Sequence, residues 1–298
     1  MDTSGIGPRP PQRTNRWVWI TLTTIVTIFL ILRIVNLSSD KDGFGSKDKV
    51  GVVRVEGPIF SSKTVVEDLE SLAQRKDIKA IVLRVNSPGG SIAPSQEIFE
   101  KVRRVREIKP IITSMGSVAA SGGYYIALGS TSIMANKGTI TGSIGVIMEY
   151  PVAAELLEKL GLSIETVKSG QLKDAGSTSR EVTKDDRRYF QNIIDDLHSQ
   201  FVAAVAEERN LDVDSVRILA DGRVYTGTQA LEMGLVDTLG TYEDAIALAA
   251  GLGGIQGKPK IFQIRHRRSS FLDLILEARR PTGASWFDVI PAYRWRGK

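Results

Sequence analysis

Ser121 is the residue whose type and setting point most directly to chemistry. It lies in Met115-Gly116-Ser117-Val118-Ala119-Ala120-Ser121-Gly122-Gly123-Tyr124-Tyr125. Small residues lead up to it, two glycines follow, and an apolar, helix-like pattern begins beyond them. Such a layout lets the backbone turn tightly and present one hydroxyl at the start of a helix. There the free N–H groups and the helix dipole stabilise a nearby anion. A serine nucleophile needs a base. The chain has 2 His in 298 residues, so a lysine is the base to seek, as in Ser-Lys variants of the triad logic. Lys173, in Ser169-Gly170-Gln171-Leu172-Lys173-Asp174, is the candidate. A lysine acts as a base only when neutral, and a solvated one is protonated at pH 7. Burial in an apolar site favours the neutral form. The flanking Ser169-Gly170 and Ala175-Gly176 suggest a snug loop, whereas Asp174, if it faced Lys173, would favour the charged form.

Acyl transfer also needs donors for an oxyanion. The Gly122 N–H follows the serine directly, and a glycine lets a carbonyl approach closely. A second donor is expected from Asn86-Ser87-Pro88-Gly89-Gly90, which follows an apolar strand and opens a helix, with Gly90 favoured. Either glycine pair taken alone is more often a plain tight turn. Thr141-Gly142-Ser143 is a third polar knot, where a hydroxyl could orient the lysine, although a turn between strands is the preferred reading on sequence alone. His198 falls among Ile194 and Phe201 at helical spacing and reads as a boundary histidine. His266 sits among arginines and reads as tail electrostatics. No phosphate- or metal-binding motif is present, there are no cysteines, and no cofactor is implied.

These residues need elements to hold them. Residues 1–16, with Arg9, Arg13 and Arg16, read as a disordered cytoplasmic N-terminus. Trp17 to Val35 is almost wholly apolar and long enough for one transmembrane helix, and no good cleavage site follows it. The arginines before this span place the N-terminus in the cytoplasm and the rest of the chain outside it. Residues 36–49 form a linker. The body, residues 50–250, alternates strand-like and helix-like segments. Strands are expected at Val50–Val55, Lys79–Asn86 and Pro110–Ser114, and helices at Thr64–Gln74, Pro94–Glu107 and Thr183–Glu208. That order predicts an α/β fold with parallel strands and crossover helices. The long last helix carries an apolar stripe of Phe190, Ile193, Ile194, Leu197, Phe201 and Val205. Residues 251–298 form a basic tail: Lys258 to Lys298 holds ten Lys/Arg against Asp273, Glu277 and Asp288, a net +7 that leaves −2 for the rest. A near-neutral body argues against nucleic acid as a partner, and the tail, with Phe271, Leu272, Ile275 and Leu276, suits lipid or a partner surface.

Several blocks occur here in one order: Asn86 to Gly90, Met115 to Tyr125, Thr141-Gly142-Ser143-Ile144-Gly145-Val146, Ser169-Gly170-x-x-Lys173-Asp174 and Ala220 to Gly227. Together, over roughly Val50 to Ala250, they resemble the bacterial signal peptide peptidase A family, also called protease IV. The resemblance implies a membrane-anchored serine endopeptidase with a Ser-Lys dyad. Ser121 is then the nucleophile, Lys173 the general base, Ser143 the hydroxyl that orients the lysine, and Gly90 and Gly122 the oxyanion donors. It implies a Clp protease/crotonase-like spiral of ββα units, released signal peptides as substrates, and a homo-oligomer. In short forms of the family the serine and lysine can come from neighbouring subunits. Two other expectations stand beside this one: an anchored protease specific for a membrane-associated protein, and a non-catalytic crotonase-like scaffold.

Overall fold

The computed structural model describes residues 23–30, 48–264 and 292–294. The chain divides into two units, 1–45 and 46–298. In the first, residues 23–30 form a helical stretch, α1, exposed along its length. The rest of the expected span from Trp17 to Val35 lies outside the described residues, as do His266 and the tail residues Phe271, Leu272, Ile275 and Leu276. Among the described residues no helix is long and apolar enough to cross a membrane.

The second unit is a mixed α/β domain. Its strands are β1 (Lys49–Glu56), β2 (Ile78–Ser87), β3 (Gly89–Ser91), β4 (Ile111–Ala120), β5 (Ser132–Ala135), β6 (Ile140–Gly142), β7 (Val224–Thr226), β8 (Thr238–Leu239), β9 (Lys260–Gln263) and β10 (Ala292–Arg294). Its helices are α2 (Lys63–Gln74), α3 (Ile92–Arg106), α4 (Gly122–Leu128), α5 (Ala154–Lys159), α6 (Lys184–Arg209), α7 (Val213–Leu219), α8 (Gly227–Glu232) and α9 (Tyr242–Leu252). The main sheet runs β7-β6-β4-β2-β1-β9, with β5 beside β4 and β8 beside β5. The pairings are parallel except β6 with β7. A small second sheet pairs β10 antiparallel to β3.

The central strands are apolar because both faces are covered. On one face Ile81, Leu83, Val85 and Ile111 pack with Leu69 and Leu72 of α2, Ile98 and Val102 of α3, and Phe201 of α6. On the other, Val50, Val52, Val82 and Ile112 pack with Ala245, Ile246 and Ala249 of α9. Thr183 closes a capping box with Asp186 and sets the start of α6 where the sequence places it. Phe201 and Val205 of its stripe are fully buried, but Phe190, Ile193, Ile194 and Leu197 are only half covered.

Two departures from the sequence reading bear on the site. The strand expected to stop at Ser114 continues to Ala120, because its second half pairs with β6 through Val118, Ala119 and Ala120. The strand therefore delivers the chain directly to Ser121. The tail beginning at Lys258 is also not separate from the body: Ile261 and Phe262 of β9 pair with Val50 and Gly51, and the Arg75 guanidinium lies 4.1 Å from the centre of the Phe262 ring.

Candidate active site

Ser121 stands between β4 and α4 at φ 55° and ψ −119°. A non-glycine residue at positive φ stores strain of about 1–3 kcal/mol, and such strain persists only where surroundings enforce it. Here the Ser121 N–H donates to the Gly142 carbonyl at 2.8 Å, and its own carbonyl accepts from the Tyr125 N–H at 2.8 Å. The helix that follows is anchored firmly. The Tyr125 ring meets Phe99 and Phe201 edge-on at 5.0 and 4.9 Å, and the Tyr124 hydroxyl donates to the Leu235 carbonyl at 2.9 Å. Ser121 is fully buried, and among the described residues its Oγ has no hydrogen-bond partner. A buried hydroxyl left unpaired costs about 1–3 kcal/mol, so an unpaired one in a strained turn points to function rather than folding.

The two glycines expected to donate to an oxyanion are neighbours in space. The Gly89 carbonyl accepts from the Ile59 N–H at 2.9 Å, and the Ser91 N–H donates to the Ile59 carbonyl at 2.7 Å. Successive peptide groups of an extended strand point to opposite edges, so the Gly90 N–H is directed away from Ile59. A Cβ built on Gly122 would lie 3.2 Å from the Gly90 nitrogen. A Cβ on Gly90 would lie 2.1 Å from the Ile59 carbonyl oxygen, so glycine is required there for close packing.

Ser143 follows the Gly142 carbonyl that holds Ser121, at φ 51°, with its N–H donating to the Arg223 carbonyl at 2.8 Å. Thr141 spends its hydroxyl on the Ala119 carbonyl at 2.7 Å. Buried Ser143 instead lines a cavity of about 380 Å³, together with Val146, Ile194, Asp195, His198 and Asp221. His198 places Nε2 2.8 Å from the Ala220 carbonyl oxygen, consistent with a boundary role.

Lys173 is not within hydrogen-bond reach of Ser121, whose Oγ is unpartnered. It is exposed, on a turn whose Lys173 N–H donates to the Gly170 carbonyl at 3.1 Å, rather than enclosed in a snug loop. Asp174 is engaged elsewhere. Arg180 donates to it from Nε at 2.9 Å and also to Asp186, and Lys168 Nζ donates to it at 2.6 Å. Hydrogen bonds from the Arg180 guanidinium hold the Asp174 and Asp186 carboxyls well below the usual carboxylate range. The sequence carries no local signature of this clasp, since its three charges stand six residues apart. Ser87, within the expected donor turn, and Ser95, which no sequence motif singles out, are both fully buried beside the glycines.

A strand-to-helix turn carrying a buried serine lies beside a second glycine turn at the end of an adjacent parallel strand, in a mixed α/β domain of the Clp protease-like kind. The Clp protease family model matches residues 49–141. The model of peptidase family S49 matches residues 103–256, more than half of the chain. The chain belongs to peptidase family S49 and is a serine protease. Over 212 residues it is 46% identical to a protein of Synechocystis sp. named as a protease, covering 70% of this chain and 76% of that one. It is 42% identical over 188 residues to an Enterococcus faecium protein named for signal peptide peptidase SppA, covering 63% of this chain and 55% of that one. It is 34% identical over 215 residues to protease 4 of Haemophilus influenzae, covering 69% of this chain and 35% of that one. The match thus spans about half or less of these last two relatives.

Proposed function

We propose that this chain is a membrane-anchored endopeptidase that cuts released signal peptides within their apolar segment, using Ser121 and Lys173 as its dyad. The reading rests on one observation above all: the fully buried, unpartnered Ser121 hydroxyl at the strained start of α4, with the Gly90 nitrogen beside Gly122. Ser121 Oγ attacks the scissile carbonyl carbon while its proton passes to Lys173 Nζ. The carbonyl oxygen becomes an oxyanion held by the Gly90 and Gly122 N–H groups. Lys173 returns the proton to the leaving amine, the C–N bond breaks, and an acyl-Ser121 remains. Water then repeats the sequence and frees the serine. Ser143 accepts or donates at Lys173 and orients it.

The dyad is completed by a neighbouring copy of the chain. Three features support this. The Ser121 hydroxyl has no hydrogen-bond partner among the described residues. Lys173 is exposed. The segment carrying it also leaves Leu156, Leu160, Leu162, Ile164 and Val167 exposed, Val167 at 97%. Clustered exposed apolar side chains mark surfaces that associate. The anchor is the apolar stretch from Trp17 to Val35, with the N-terminus cytoplasmic and the protease domain extracytoplasmic. The domain then follows the ββα spiral of the Clp protease/crotonase type, and no cofactor takes part.

The experiment is cleavage of an apolar, signal-peptide-like peptide by the purified full chain, with Ser121→Ala and Lys173→Ala in parallel. Each variant is expected to be inactive alone, at least 1,000-fold below the parent, in the range of nucleophile or base removal. Mixing the two inactive proteins restores a fraction of the activity if the dyad is shared between subunits. Cleavage retained by either single variant refutes the dyad.

A further inference from the structure

We propose that Ser87 and Ser95 are positioning residues that set the oxyanion hole, an inference that rests on the Ser121 reading above. Both side chains are fully buried. Ser87 ends β2, and its Oγ accepts a hydrogen bond from the Gly89 N–H at 3.1 Å across Pro88. That bond closes a turn in which Gly89 takes φ 95°, a left-handed conformation with many alternatives open to glycine. With Gly89 so held, its carbonyl and the Ser91 N–H both go to Ile59, and the Gly90 N–H is directed to the opposite edge of β3, where Tyr293 of β10 pairs with Gly90 and where a substrate carbonyl would take its place.

Ser95, on the first turn of α3, donates its hydroxyl to the Ser91 carbonyl at 2.9 Å. The same oxygen lies 2.6 Å from where a Gly122 Cβ would stand, and the Gly89 Cα lies 3.2 Å from that point. Ser95 is therefore a spacer between β3 and the head of α4. Gly123 closes the contact from the other side, its Cβ position lying 2.7 Å from the Ser87 carbonyl oxygen. One hydroxyl fixes the direction of the first amide, and the other fixes its separation from the second. Oxyanion donors act only if preorganised, and loss of one costs about 100- to 1,000-fold in kcat. Misplacement of one is expected to cost about ten-fold or more.

The test compares Ser87→Ala and Ser95→Ala in the full chain, using the apolar peptide and a peptide aldehyde of the same sequence. The aldehyde forms a tetrahedral adduct on Ser121 and reads the hole directly. The expected result is a kcat about ten-fold lower in each variant, an unchanged KM, and an aldehyde Ki raised by the same factor. A variant that merely loses folded protein lowers kcat but leaves the Ki of the remaining enzyme unchanged, and that outcome overturns the proposal. So does activity within two-fold of the parent. Ser121→Ala separates the two readings: if it still cleaves, the nucleophile is wrong, whereas if it is dead and Ser87→Ala and Ser95→Ala retain parental kcat and Ki, only the positioning role fails.

Discussion

At the scale of single residues the site is governed by backbone geometry as much as by side-chain chemistry. The nucleophile at position 121 occupies a conformation that glycine adopts without penalty. Ser121→Gly and Ser121→Ala should therefore be equally inactive but not equally stable. Relief of a positive φ is worth about 1 kcal/mol, which corresponds to about 2–4 °C in a domain of this size. Thermal unfolding of the two variants is expected to place the glycine form higher. Equal melting points would show that Ser121 relaxes out of its strained turn in solution. Gly90→Ala is the opposite case. Its Cβ would meet the Ile59 carbonyl oxygen at 2.1 Å, so β3 must detach from Ile59. Peptide cleavage by Gly90→Ala should fall at least 100-fold, as for loss of an oxyanion donor.

At the scale of elements, the domain separates what is rigid from what is fastened. β4, α4 and the glycine turn are fixed by the core, with Tyr124 and Ile126 completely buried. The Lys173 segment is instead tied to α6 through Arg180, which bridges Asp174 and Asp186. Both carboxyls titrate below their ordinary value in the folded chain, so the folded state binds fewer protons than the unfolded one. Their contribution is complete above the ordinary value of 3.8 and is lost as pH falls below it. Hydrogen exchange across 168–186, corrected for intrinsic rates, should accelerate in acid before β2 and β4 are affected. Arg180→Ala should show that acceleration already at neutral pH. Protection unchanged by Arg180→Ala would mean that packing of Tyr150 on Phe190, with ring centres 5.2 Å apart, holds the segment instead.

At the scale of the whole molecule, the edge of β3 is occupied. Ala292, Tyr293 and Arg294 pair antiparallel with Ser91, Gly90 and Gly89, the strand that carries an expected oxyanion donor. An extended peptide binds a sheet edge by the same main-chain pairing. A chain ending at Ile264 should therefore cleave the apolar peptide several-fold faster than the full chain at subsaturating concentration. An unchanged rate would place the substrate on another edge.

Much of this protein is legible in its sequence because the signals are local. The β-branched runs at Val50–Val55 and Lys79–Asn86, the helical periodicity of residues 64–74, and the capping pair Thr183 and Asp186 each depend on neighbours within a few positions. The turn at Ser121 was legible for the same reason, since small residues followed by Gly122-Gly123 leave little else for the backbone to do. The end of β4 was not, because residues 118–120 are held in a strand by β6, some twenty residues further on. Nor was β9, whose exposed Ile261 and half-covered Phe262 become a strand only against β1, some two hundred residues away. The contact of Gly90 with Gly122, the role of Gly142 in holding Ser121, and the clasp at Arg180 arise from chain segments that meet only when the sheet is assembled. Residue types and short-range order, set by steric and periodic constraints within a few positions, were thus available from the sequence alone. Which groups face one another, and that Lys173 stays apart from Ser121 within one chain, were decided by long-range packing.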